Sequence, residues 1–151
     1  MSDAATATDT ATGNKARIRA YHERLWGQGD LSAIAEAWAP DAAVEMTDSD
    51  GTAIDAVVAD AERYFGAFTD VTTEIRALIA EGDRVVLHWA TTGRHIGPYG
   101  DIPATGREIT MQGIDILTLR DGRIAACASM WDGLSVYDQL GVLHIGPGEG
   151  A

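Results

Sequence analysis

The spacing of apolar residues divides the chain in two. Ile18, Tyr21, His22, Leu25 and Trp26 fall at three- and four-residue steps. They predict an amphipathic helix over Ala16–Gln28, ended by Gly27 and Gly29. Asp30 stands where an N-cap belongs, ahead of a second short helix carrying Leu31, Ile34, Ala35 and Trp38. Pro40 is expected to stop that helix. Ala42–Met46 reads as a short strand and Thr47–Gly51 as a loop. Ile54, Val57, Val58, Ala61, Phe65 and Phe68 mark a third helix.

From Val71 the period changes from 3.6 to 2. Thr73, Ile75, Ala77 and Ile79 alternate with Thr72, Glu74, Arg76 and Leu78, which predicts a strand. Glu81-Gly82-Asp83 is a hairpin turn. Three further strands follow at Arg84–His95, Arg107–Arg120 and Arg123–Trp131. A two-proline loop at Gly97–Gly106 and an Asp121-Gly122 turn separate them. Asp132 is expected to cap a short terminal helix, with Gly141 as its C′ residue. Helices gathered before a meander predict an α+β domain. A curved antiparallel sheet with the N-terminal helices on its concave face would enclose a pocket. The stretch Arg84–Trp131 would supply most of its walls.

Composition narrows the partners. With 11 basic and 23 acidic residues the formal net charge is -12, the opposite of what phosphate backbones or anionic bilayers attract. Neither nucleic acid nor a membrane is therefore an expected partner. No apolar run approaches the ~20 residues of a membrane span. The Ala/Thr/Asp-rich start lacks a basic n-region and an apolar core, and residues 1–13 are expected to form a mobile tail. The domain is expected at 14–145, followed by a Gly-rich, flexible 146–151. Cys127 is the single cysteine, so no internal disulfide or multi-cysteine metal site is possible. A cytoplasmic protein is the expectation. No metal motif and no Gly-rich nucleotide loop is visible, so neither a metal nor a cofactor is expected.

Six pieces in order resemble the SnoaL-like polyketide cyclases. They are Glu81-Gly82-Asp83-Arg84-Val85-Val86, Gly93-Arg94-His95-Ile96-Gly97, Pro103-Ala104-Thr105-Gly106-Arg107, Gly113-Ile114-Asp115, Asp121-Gly122-Arg123-Ile124 and Asp138-Gln139-Leu140-Gly141. The helical start, with Trp26-Gly27-Gln28-Gly29-Asp30-Leu31, fits the same plan, so the resemblance spans residues 15–143. It implies the cone-shaped fold shared with ketosteroid isomerase and limonene-epoxide hydrolase, a small hydrophobic polyketide-like substrate, and a homodimer through the outer sheet face. The family's aldol-type cyclases carry their acid/base aspartate eight residues beyond the hairpin Asp. That place is Ser129 here. Serine exchanges no proton near neutral pH without an activating base. The Arg-x-Asp of the epoxide hydrolases is replaced by His88-Trp89-Ala90. Where the cyclases have a pocket histidine on the penultimate strand, this chain has Asp115.

Asp115 is the leading catalytic candidate. It shares a face with Ile109, Met111, Gly113 and Leu117, where a carboxylate is costly unless paired or useful. Burial would raise its pKa toward what acid/base work at neutral pH needs. The alternative is a structural Asp paired with Arg94, Arg107 or a backbone amide. His95, at the expected mouth, could orient a carbonyl or move a proton, or simply end its strand. Glu45, Tyr64, His88, Trp89, Tyr99, Met111, Ser129 and Trp131 are candidate substrate-binding residues, the aromatics for a flat or polyene-like ligand. Core packing is the alternative for each aromatic, and His88 alternates onto a face that could be the outer one. His22 reads as helix packing, His144 as tail and Asp132 as an N-cap. Three activities suit such a chain: cyclisation of a polyketide-type intermediate in secondary metabolism, cofactor-free hydroxylation or epoxide opening, and non-catalytic small-molecule binding.

Overall fold

The period-2 half folds into a meander and the period-3.6 half packs against one of its faces. The computed structural model describes residues 2–45 and 52–143, except for the side chains of Ser2, Asp3, Thr8 and Glu45. The elements are α1 (Ser2–His22), a π turn (Glu23–Gly27), α2 (Ser32–Ala37), β1 (Trp38–Glu45), α3 (Ala53–Ala67), β2 (Phe68–Glu81), β3 (Arg84–His95), β4 (Glu108–Arg120), β5 (Arg123–Trp131) and α4 (Gly133–Gln139). The expected loop at Thr47–Gly51, the C-terminal 146–151 and His144 lie outside the described residues. No described helix is long and apolar enough to cross a membrane.

The sheet runs β1-β5-β4-β3-β2. β2 to β5 are antiparallel neighbours, whereas β1 lies parallel to β5. The sheet is therefore mixed: the expected antiparallel meander forms over β2–β5, and β1 joins it in parallel. The cause is topological. With β1 and β2 on opposite edges, α3, which joins them, has to cross a face of the sheet. That crossing lays α3 over the strands and roofs the space beneath it. Asp121 and Gly122, at φ 53 and 76, close the β4–β5 turn with both central residues left-handed, as a two-residue hairpin of the right twist requires. Register shifts in β2 at Thr69/Thr72 and Ile75/Ala77 curl its edge of the sheet.

Several element ends depart from the periodic reading. Residues 2–13, expected as a tail, extend α1 as helix. Ala4, Ala5, Ala7 and Ala11 carry the highest helix propensity, and adding a turn to a formed helix is cheap. Ala37 ends α2 and Trp38 already belongs to β1. Pro40 thus sits within an edge strand, where its missing N–H breaks no ladder. The N-cap of α2 is Leu31, not Asp30; Asp30, one residue earlier, accepts the Ser32 N–H at 3.1 Å with its Oδ1 and holds Arg24 at 2.7 Å with its Oδ2. Thr52 caps α3 by accepting the Asp55 N–H at 3.1 Å, and Asp132 caps α4 by accepting that of Ser135 at 3.0 Å.

Two buried clusters result. One gathers Ile18, Leu25, Ile34, Val57, Leu87, Leu117 and Ile124; the other gathers Tyr64, Phe68, Tyr99, Ile109, Met111 and Val136. Trp26, Phe65 and Trp89 touch both. On the other face of the sheet Ile79, Ile114, Ile116 and Met130 are exposed.

Candidate active site

Between helices and sheet lies a cavity of about 410 Å³, within the size range of small-molecule sites. Tyr21 and His22 enter from the end of α1 and Trp26 from the π turn. The wider π turn re-aims side chains at a helix end, as such turns commonly do at functional sites. Val57, Asp60, Arg63 and Tyr64 come from α3, and Trp38 and Val44 from β1. The sheet contributes Leu87, Trp89 and Thr91 from β3, Met111, Asp115 and Leu117 from β4, and Cys127, Ser129 and Trp131 from β5. Tyr99 and Tyr137 complete the lining.

Asp115 faces this space from the middle of β4, directly across from Ser129 in the β4–β5 ladder. The Ser129 hydroxyl donates to Asp115 Oδ1 at 2.6 Å. Burial pushes the carboxyl above its usual range, and hydrogen bonding from Ser129 and from the Trp89 indole pulls it part of the way back. Ser129 thus orients the Asp115 carboxyl across the ladder. Gly113 makes room for this arrangement. A Cβ there would stand 2.5 Å from the Trp89 ring and 2.7 Å from the Met130 carbonyl. Gly113→Ala is accordingly expected to lose about 1–3 kcal/mol in urea unfolding, with a changed tryptophan emission spectrum. An unchanged midpoint and spectrum would mean that Trp89 does not depend on that gap.

Tyr64, Trp89, Tyr99, Met111, Ser129 and Trp131 join Asp115 in the lining. Tyr64 contributes its ring: its hydroxyl is buried with no hydrogen-bond partner among the described residues, beside Gly93. His95 does not join them. It is fully buried, its ring tilted against Phe68 with centroids 5.2 Å apart. Its Nδ1 accepts the Thr105 N–H at 3.2 Å, which ties the ring to its own loop and removes it from the catalytic role expected of it. His88 lies on the opposite face, paired with Ile114 across the ladder and 3.4 Å from Gln112 Oε1. The strand's alternation leaves it no path to the cavity. Glu45 pairs with Ala128 at the edge of the sheet, its side chain outside the described set.

Sequence reasoning missed the helix wall. By its period the stripe with Tyr21, His22 and Trp26 reads as packing, yet its last turn fronts the cavity. The signal was present: two polar-tipped residues and an indole in an otherwise aliphatic stripe. His22 Nε2 lies 2.7 Å from Thr73 Oγ1, and burial lowers its pKa to about 4. Tyr21 Oη accepts the Trp38 indole N–H at 2.9 Å, and burial raises its pKa. The Cys127 thiol is pushed up to about 12 by burial and stays protonated. Arg63 pairs with Asp60 at 2.9 Å and covers the Tyr99 ring at 5.2 Å. Among the described residues no three His, Cys, Asp or Glu side chains are grouped as metal ligands.

Comparison with known proteins fits this geometry. The model of the SnoaL-like polyketide cyclase family matches residues 16–140. Among solved structures, TsrD from Streptomyces laurentii is 27% identical with a TM-score of 0.76, covering 85% of this chain and 97% of its own. AclR, a candidate hydroxylase from Streptomyces galilaeus, is 26% identical with a TM-score of 0.80, covering 91% and 87%. IdmH, a candidate polyketide cyclase from Streptomyces antibioticus, is 25% identical with a TM-score of 0.67, covering 90% and 99%. No curated protein matches the sequence.

Proposed function

Because this chain belongs to the SnoaL-like polyketide cyclase family, we propose that it closes a ring in a polyketide-type intermediate of secondary metabolism, without a cofactor. The observation that carries the reading is Asp115: a carboxyl held by Ser129 inside an aromatic-lined cavity, with its pKa raised by burial. A carboxyl in that state can give a proton to a substrate carbonyl and take it back. Trp26, Trp89, Trp131 and Tyr64 offer flat faces on which a conjugated chain can fold. Holding two reacting ends together supplies much of the barrier lowering in ring closure, ~7–11 kcal/mol in favourable cases. The exposed outer face with Ile79, Ile114 and Ile116 suits a second copy of the chain.

The likeness to AclR favours a second reading, hydroxylation on the same scaffold. Product mass separates them. Incubation with candidate linear intermediates is expected to yield a product isomeric with the substrate, or lighter by one water. A product heavier by one oxygen atom, or by one water, would replace ring closure with hydroxylation or epoxide opening. Ligand recovered unaltered from a tight complex would make the protein a binder.

A further inference from the structure

We propose that His22 is a second catalytic group of this cavity, the base that removes a proton from the carbon beside a substrate carbonyl while Asp115 protonates that carbonyl's oxygen. The proposal rests on the reading of Asp115 given above, and it assigns the half of the chemistry that a single acid leaves unassigned.

The placement is on two walls. His22 closes α1 on the helix side; Asp115 stands on β4 on the sheet side. His22 is 2% exposed, and its ring orientation is set by Thr73. The Thr73 hydroxyl lies 3.4 Å from the Ala90 carbonyl and 3.2 Å from Thr91 Oγ1. When Thr73 donates to Ala90, its oxygen accepts the Nε2–H of His22, and Nδ1 is left with its lone pair. Nδ1 has no hydrogen-bond partner among the described residues. His22 is one of the residues that line the cavity. Burial lowers the His22 pKa to about 4, which leaves the ring uncharged at neutral pH, and it raises that of Asp115, which holds its proton more tightly than a free carboxyl. An uncharged imidazole and a carboxyl with a raised pKa therefore line one cavity.

The proton count closes. The α-carbon proton passes to His22 Nδ1, and the C–H electron pair becomes the enol double bond. The Asp115 proton passes to the carbonyl oxygen. The enol carbon then bonds to a second carbonyl carbon, whose oxygen takes the proton from His22. The enol O–H proton returns to Asp115. Both side chains are restored, nothing is oxidised or reduced, and the product is an isomer of the substrate. In the enol state the imidazolium and carboxylate attract one another across the cavity.

The test uses the whole protein and a flat bicyclic ketone, 2-tetralone, whose α-hydrogen exchange with D₂O is followed by NMR. Wild type is expected to accelerate exchange over buffer. His22→Gln, whose amide can still reach Thr73, is expected to lose about 10²-fold with an unchanged melting midpoint. Thr73→Val, which frees the ring without removing it, is expected to fall by about tenfold, giving a second readout should His22→Gln fold poorly. Wild-type exchange at the buffer rate, or His22→Gln exchanging like wild type, overturns the proposal. Loss in Asp115→Asn with none in either His22→Gln or Thr73→Val would overturn His22 and leave the reading of Asp115 standing. Full exchange in Asp115→Asn with loss in His22→Gln would keep His22 as base and remove Asp115 as its acid.

Discussion

Asp115→Asn should lower turnover on the chain's own substrate by about 10²–10⁴-fold, the range typical of a positioned general acid. The substitution keeps the side chain's shape and an oxygen to accept the Ser129 hydroxyl, now at 2.6 Å, but removes the transferable proton. The Trp89 indole would then meet the amide's N–H₂ in place of an oxygen, so substrate binding should change less than kcat. Stability offers an independent check. Burial raises the Asp115 pKa in the folded state. Its stabilising contribution is therefore present below the ordinary carboxylate range and is lost as pH rises through the raised value. The asparagine variant should lack that loss: relative to wild type it gains stability as pH increases from about 4 toward neutrality. Steady-state kinetics and urea unfolding across that range measure both effects. A variant that keeps wild-type kcat would remove Asp115 from the chemistry, and unfolding curves of identical pH dependence would mean that its carboxyl is not desolvated.

The sheet wall of the site was legible because strand alternation is a two-way choice. Once Leu117 and Met111 are assigned inward, Asp115 has to follow them, and β4 does place all three on the cavity side. The same logic allowed His88 to fall on the outer face, where it lies. His95 has the inward parity but was misjudged, because parity says nothing about which loop folds over a strand's end. Thr105 and Phe68, distant in pattern, decide its surroundings. The helix wall was less legible. A periodic stripe tells which side of a helix is covered, not whether packed side chains or an open cavity covers it. Ile18 and His22 belong to one stripe, yet Ile18 enters the solid core and His22 the cavity wall. The parallel pairing of β1 was likewise hidden: an isolated strand between two helices carries no local sign of its partner. The helical state of residues 2–13 rests on alanine propensity, which a reading based on burial does not weigh.

His22 should make the fold acid-labile between pH 6.5 and 4. A histidine whose folded pKa is lowered from 6.5 to about 4 takes up a proton in the unfolded chain first. Stability is then complete above the unfolded value and is lost as pH falls toward the folded one. A shift of that size corresponds to about 3 kcal/mol at the acid end. Asp115 acts in the opposite direction in the same region, since its raised pKa favours the folded state on acidification. The carboxylates of Asp30 and Glu36, held below their usual range by Ser32 and Arg24, begin to lose their contribution only at the acid end of this interval and lose the rest below it. The interval from 6.5 to 4 therefore reports mainly on the two cavity groups, and each single substitution should expose the other. His22→Gln should flatten or reverse the acid loss, whereas Asp115→Asn should steepen it. Chemical unfolding at closely spaced pH values distinguishes these slopes. If His22→Gln unfolds with the same pH dependence as wild type, His22 is hydrated and charged in the folded protein, and no neutral base faces Asp115.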